Sequence, residues 1–151
     1  MDRSRHFTPV CAALTLLLMF ISTLSQAMVQ KSPNDNREYL GFTLGNKMKV
    51  LVISDPQTAK AAASLDVDVG SAANPEGREG LAHFLEHMVF KGTPQIGNGE
   101  FEQRIEAKGA VTNAATSQEY THYYITCAPQ DFAELAPLQL DVVLNPSIPD
   151  A

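Results

Sequence analysis

Two histidines and a glutamate at helical spacing are the residues of this chain best suited to chemistry. His83 and His87 are four residues apart, with Glu86 between them, in the segment His83-Phe84-Leu85-Glu86-His87. At 3.6 residues per turn, the two imidazoles lie on one face of a helix and Glu86 lies on the same side. Two neutral imidazoles supply half of a tetrahedral zinc shell, and a nearby carboxylate can take a proton from water that the metal makes more acidic. The segment therefore predicts a zinc site with His83 and His87 as ligands and Glu86 as general base.

A solvated polar helix face is the alternative interpretation of this spacing. The neighbouring residues argue against it, because the predicted helix is otherwise apolar at Phe84, Leu85, Met88 and Val89. Burying imidazole and carboxylate groups without partners would cost on the order of several kcal/mol. A bound metal would satisfy these groups, so the apolar context favours zinc.

The sequence around this motif resembles that of a known enzyme family. Residues 74–93, which run from Asn74-Pro75 to Gly92-Thr93, resemble the active-site region of the insulinase/pitrilysin family of zinc metallopeptidases, the group that includes the mitochondrial processing peptidase. The order H-x-x-E-H is the inverzincin signature. Residues 113–124, Asn-Ala-Ala-Thr-Ser-Gln-Glu-Tyr-Thr-His-Tyr-Tyr, are similar to the family's N-A-x-T-S…T-x-Y-Y strand pair. The two segments occur in the family's order and at its spacing, and the resemblance covers residues 38–149.

The resemblance implies a role for each matching residue. His83 and His87 match the family's zinc-ligand histidines, and Glu86 matches the general base that acts on a metal-activated water to hydrolyse a peptide bond. Asn113 and Ala114 match the edge strand on which these enzymes bind a peptide or protein substrate as an added β-strand. Some family members also have a second homologous half or partner subunit.

The resemblance further implies one zinc ion with a third protein ligand, a glutamate roughly 75 to 77 residues after the second histidine and hence near position 164. The printed sequence ends at Ala151, so we expect this ligand beyond residue 151. Four glutamates within the chain are expected on solvated surfaces and not as substitutes: Glu100, Glu102, Glu106 and Glu119.

Two functions within this family stay open on these grounds. One is a zinc-dependent endopeptidase; the other is a catalytically incompetent fragment, or a non-catalytic binding or partner subunit of the same family.

Outside the family, an alternative is an enzyme of the S-ribosylhomocysteinase type, which uses H-x-x-E-H with a cysteine as third ligand. Cys127 follows His87 by only 40 residues and lies in a strand pattern, which favours a small buried hydrophobic role. His122 is likewise expected on a sheet surface.

The first residues have the pattern of a secretory signal peptide. Arg3 and Arg5 precede an apolar run from Val10, and Ser25-Gln26-Ala27 provides small residues for cleavage after Ala27. We therefore expect a signal peptide at 1–27, a linker at 28–37, the amino-terminal portion of a peptidase domain at 38–151, and export to the periplasm or medium. If the segment stays uncleaved, it is the chain's only expected contact with a membrane.

The whole chain has a formal net charge of −6, which becomes −7 without residues 1–27. This acidity argues against a nucleic-acid partner. Hydrophobic periodicity predicts the order β-β-β-α-α-β-β-α and hence an α+β fold, with helices on one side of a mainly antiparallel sheet. We expect a two-residue Gly45-Asn46 hairpin turn, an Asn98 cap on the second helix, and a kink or break at Pro137 in the last helix.

Overall fold

The order of strands and helices is β-β-β-α-α-β-β-α, as the hydrophobic pattern predicts. The computed structural model describes residues 30–148, so the predicted signal peptide at 1–27 lies outside the described residues. The chain divides into two units between Gln57 and Thr58. Within the described range, none of the helices has the length and hydrophobicity required to traverse a bilayer.

The first unit contains an antiparallel hairpin of β1 (Glu38–Thr43) and β2 (Lys49–Ser54). The predicted two-residue turn is wrong. The Leu44 N–H donates to the Met48 carbonyl at 2.9 Å and the Lys47 N–H donates to the Leu44 carbonyl at 2.8 Å. Lys47 has a φ of 71°. A turn followed by one left-handed residue is the usual three-residue hairpin loop.

The second unit contains a three-stranded antiparallel sheet in the order β3-β5-β4. Its strands are β3 (Ala61–Val67), β4 (Val111–Thr116) and β5 (Thr121–Cys127). Side chains on β5 alternate between buried and half-buried positions, because successive residues of a strand point to opposite faces. The buried face is the one against which the helices pack.

Three α-helices of this unit are α1 (Leu81–Met88), α2 (Glu100–Ala107) and α3 (Phe132–Leu144). A short 3-10 turn, Val89–Lys91, extends α1. The buried hydrophobic core joins α2, α3 and β5, with members Ile96, Phe101, Ile105, Ile125, Cys127, Leu135 and Val142. This arrangement confirms the predicted α+β class with helices packed on the sheet.

The predicted cap of the second helix and the predicted break in the last helix are wrong, whereas a kink at Pro137 stays a prediction. Asn98 does not cap α2; the helix begins after Gly99, whose φ is 80°, and the Gly97 N–H donates to Glu100 Oε2 at 3.0 Å. Pro137 does not divide the last helix, which runs unbroken from Phe132 to Leu144. Proline removes one backbone hydrogen bond, but Leu135 and Val142 are fully buried on either side of it and hold both halves against the core.

Candidate metal centre

The helix α1 places both histidines and the glutamate of the H-x-x-E-H motif. It begins after Gly80, which has a φ of 88° and offers no side-chain cap. The Oδ1 atom of Asn74 accepts a hydrogen bond from the Ala82 N–H at 2.9 Å instead. A side chain eight residues from Ala82 thus satisfies one of the unpaired N–H groups of the first turn.

The loop that carries Asn74 is attached to the β4–β5 turn. The Ser71 and Ala72 N–H groups donate to the Ser117 and Gln118 carbonyls, each at 2.9 Å. A Cβ atom on Gly70 would lie 2.5 Å from the Ser117 carbonyl oxygen, so only glycine allows this approach. The start of α1 is therefore positioned by the sheet.

The two imidazoles are arranged as a pair of metal ligands. The Nε2 atoms of His83 and His87 are 3.2 Å apart, and the rings are nearly perpendicular, at 87°. Two nitrogens bound to one tetrahedral zinc at about 2.0 Å would be separated by about 3.3 Å. The donor set and its spacing therefore fit zinc without rearrangement of the helix.

Glu86 completes this cluster from a buried position. One ligand atom from each of His83, Glu86 and His87 lies within 4.8 Å of the others, although Glu86 is only 6 % exposed. Its Oε2 atom accepts a hydrogen bond from the Thr116 hydroxyl and lies 3.3 Å from Nδ1 of His83. Glu86 therefore lies beside the histidines but is held by β4.

The negative charge of Glu86 affects the pKa of Tyr123, a residue of the neighbouring strand β5. Burial raises the pKa of Tyr123 above its usual value, and the nearby Glu86 carboxylate raises that pKa further. Tyr123 is 4 % exposed and pairs in register with Ala114. The phenol therefore stays protonated at neutral pH, and the fold loses stability as the pH rises from the ordinary pKa of tyrosine, about 10, through this raised pKa.

A cavity of about 300 Å³ adjoins the motif. Its lining includes Glu86 and His87 from α1 and Asn113 from β4, together with Phe90, Lys91, Phe101, Glu102 and Thr112. In the sheet of residues 58–148, β4 is an edge strand. Asn113 is exposed and lines this cavity with Glu86 and His87, and the half-buried Ala114 follows it on β4. The substrate-binding role of both residues stays a prediction.

The other candidate ligands lie elsewhere. Cys127 belongs to the hydrophobic core and is 4 % exposed; burial raises the pKa of its thiol, with a further increase from Asp131. His122 pairs with Asp66, with 2.6 Å between Nδ1 and Oδ1. Among residues 30–148, only His83, Glu86 and His87 form a cluster suited to a metal. The structure therefore gives no support to a cysteine-ligated site.

Three residues near the centre received no role from the sequence. Thr116 bonds to Glu86, Asn74 caps α1, and Glu102 lines the cavity with its Oε2 atom buried and without a hydrogen-bond partner in the described part of the chain. Glu102 was expected on a solvated surface, and this is wrong because it is half-buried. Thr116 and Asn74 lie within the two family-like segments, which is the signal that could have pointed to them.

The sequence of residues 49–151 matches the family model described as insulinase, peptidase family M16. The chain belongs to the insulinase family. The insulin-degrading enzyme of Mus musculus is 45 % identical to it over 111 residues, which cover 68 % of this chain and 11 % of that enzyme. The insulin-degrading enzyme-like 2 protein of Arabidopsis thaliana is 45 % identical over 107 residues, covering 70 % of this chain and 11 % of that protein.

A solved structure of an insulinase-family protein gives the same result for the fold. The crystal structure of pitrilysin superposes with a TM-score of 0.76 at 34 % identity, over 80 % of this chain and 13 % of pitrilysin. The likeness confirms the predicted relationship and fold class. The chain spans about a tenth of the length of the insulin-degrading enzymes that it matches.

Proposed function

We propose that this chain carries the catalytic motif of a zinc-dependent endopeptidase, with His83 and His87 as ligands to one zinc ion and Glu86 as general base. The observation that carries the proposal is the pair of Nε2 atoms at 3.2 Å beside a buried carboxylate. Two imidazoles at this spacing supply two protein ligands of a hydrolytic zinc site, and a nearby carboxylate that does not bind the metal can serve as the base. Membership of a peptidase family supports the same reaction.

The residues of this chain would have separate roles in peptide hydrolysis. Bound zinc would polarise the peptide carbonyl and acidify a water molecule. Glu86 would take the proton of the attacking water and pass it to the departing amine. Asn113 and Ala114, on the edge strand β4, would hold the substrate as an added strand beside the motif.

The zinc shell needs a further protein ligand. Two histidines leave it incomplete, and hydrolytic sites with two histidines usually add a carboxylate. We assign that position to a glutamate from sequence beyond residue 151. A second homologous half or subunit is the expected partner that closes over the substrate.

Zinc titration and peptide cleavage test this proposal. We expect the 151-residue chain to bind one zinc ion through His83 and His87, and we expect any cleavage of unfolded peptides to be lost on chelation and regained with zinc. His87→Ala should weaken zinc binding by at least about 100-fold, because one ligand is lost. The matched variant His122→Ala should keep wild-type zinc binding, because His122 pairs with Asp66 away from the motif.

The outcomes separate the two candidate functions. A chain that binds no zinc contradicts the proposal. A chain that binds zinc through His83 and His87 but cleaves no peptide supports the alternative, a non-catalytic fragment or partner subunit. Peptide binding without cleavage would identify it as a binding subunit.

We also propose that residues 1–27 direct export and are removed after Ala27. The basic start, the apolar run and the small residues before the cleavage point support this. When the chain is produced in a bacterium with two membranes, mass spectrometry of the periplasmic fraction should find an N-terminus at Met28. A full-length chain that begins at Met1 in the cytoplasmic fraction would refute the proposal.

A further inference from the structure

Thr116 is the residue through which the sheet contacts the Glu86 carboxylate. It is the last residue of β4 and pairs in register with Thr121, the first residue of β5. The Thr116 hydroxyl donates to Oε2 of Glu86. This bond joins residues 30 positions apart, so it depends on the packing of α1 against the sheet.

A second threonine lies beside that bond. The Thr121 hydroxyl donates to the Val69 carbonyl at 2.9 Å and lies 3.5 Å from the Thr116 oxygen. A hydroxyl has a single proton, so Thr121 has none left to donate to Thr116. Thr121 is 4 % exposed, which keeps water from competing. The carboxylate of Glu86 is a stronger acceptor than the Thr121 hydroxyl, so the Thr116 proton is directed to Glu86.

The bonded oxygen of Glu86 is kept off the metal position. It lies 3.3 Å from Nδ1 of His83, whereas the Nε2 atom of His83 faces Nε2 of His87. Nδ1 is the ring nitrogen away from the shared point. A carboxylate this close to two imidazoles would be a good third ligand if it turned, because its cluster with them spans no more than 4.8 Å.

We propose that Thr116 is a positioning residue that prevents Glu86 from ligating the metal and so keeps this carboxylate available for proton transfer. The inference rests on the proposed zinc site. A helix with His, Glu and His on one face could bind one ion through all three side chains. The hydrogen bond from the Thr116 hydroxyl would keep the Glu86 carboxylate from binding the ion. The two histidines would then be the ligands, and Glu86 would stay available as the base.

Removal of the hydroxyl should convert Glu86 into a ligand. Thr116→Val keeps the shape of the side chain but cannot donate, so zinc affinity should rise by about tenfold or more as a carboxylate joins two imidazoles. Thr116→Ser keeps the hydroxyl and should stay within about threefold of the wild-type affinity. Competition with a chromophoric chelator measures both. With Co²⁺ as probe, the visible absorption of the Thr116→Val chain should differ from that of the wild type and of Thr116→Ser.

The double variant identifies the new ligand. In Thr116→Val/Glu86→Gln the gain in affinity should vanish, because the carboxylate is gone. Thr126→Val, on β5 and paired with Ala62 and Val111, is the matched control and should leave the affinity and the Co²⁺ spectrum unchanged. If Thr116→Val fails to fold by circular dichroism, Thr116→Ala provides the same test.

Several results would overturn the inference while leaving the zinc site intact. These are a wild-type affinity and Co²⁺ spectrum in Thr116→Val, a gain that persists without the Glu86 carboxylate, or loss of folding in both Thr116→Val and Thr116→Ala, which would make the hydroxyl structural. Absence of zinc and Co²⁺ binding by the wild-type chain would instead contradict the proposed function itself.

Discussion

Replacement of Glu86 by glutamine is expected to lower the rate of peptide cleavage by about 1000-fold and to leave zinc affinity within about threefold of the wild type. Glutamine has the shape of glutamate and can still accept the Thr116 hydrogen bond, but it cannot take a proton. If the Thr116 bond keeps Glu86 off the metal as proposed, loss of the carboxylate should affect the reaction and not the binding of the ion. Single-turnover cleavage and zinc titration measure the two effects separately.

A matched glutamate provides the control for this prediction. Glu106 is exposed near the end of α2, so Glu106→Gln removes the same charge from the surface and should change neither cleavage nor zinc affinity. Equal cleavage by the wild type and Glu86→Gln would exclude Glu86 as the base. A large loss of zinc in Glu86→Gln would show that Glu86 is a ligand in the wild-type chain.

Replacement of Phe101 by alanine is expected to lower the free energy of unfolding by about 3–5 kcal/mol. Phe101 is fully buried and stacks on Phe90, with 5.6 Å between ring centroids and 26° between ring planes. Its removal takes away transfer free energy and leaves a cavity under the turn that follows α1. Urea unfolding of the metal-free chain, in the presence of a chelator, measures this loss apart from any effect on zinc.

Phe84 is the natural comparison for Phe101. It lies on α1 within the motif but is 59 % exposed, so Phe84→Ala should change the free energy of unfolding by no more than about 0.5 kcal/mol. Similar losses in the two variants would mean that Phe101 does not occupy the core. A smaller loss in Phe101→Leu than in Phe101→Ala is expected, because leucine fills part of the space.

The sequence predicts the fold well where hydrophobic periodicity and burial agree. The alternation Tyr123, Ile125, Cys127 marks the buried face of β5, and Phe101 with Ile105 marks the buried face of α2. Predictions from local sequence are wrong where another residue or a tertiary contact determines the start or the continuity of a helix. A glycine with positive φ begins α2 in place of Asn98, and core packing around Leu135 and Val142 keeps the helix continuous through Pro137.

The candidate site also contains residues whose roles could be predicted from the sequence and residues whose roles could not. The spacing of His83, Glu86 and His87 determines which side chains share a helix face, so the cluster could be predicted from helical geometry alone. Thr116 and Asn74 could not be assigned roles in this way, because their contacts depend on how a loop and a strand dock against α1. No periodicity within either segment encodes that docking.

The bond between Thr116 and Glu86 has a consequence for the order of events during synthesis. A ribosome adds both histidines and Glu86 to the chain before it adds Thr116 and Thr121. Until β4 has formed, a chain that has folded α1 lacks the contact that we propose keeps Glu86 off the metal. The proposed separation of the two ligands from the base is thus a property of the folded sheet and not of the helix alone.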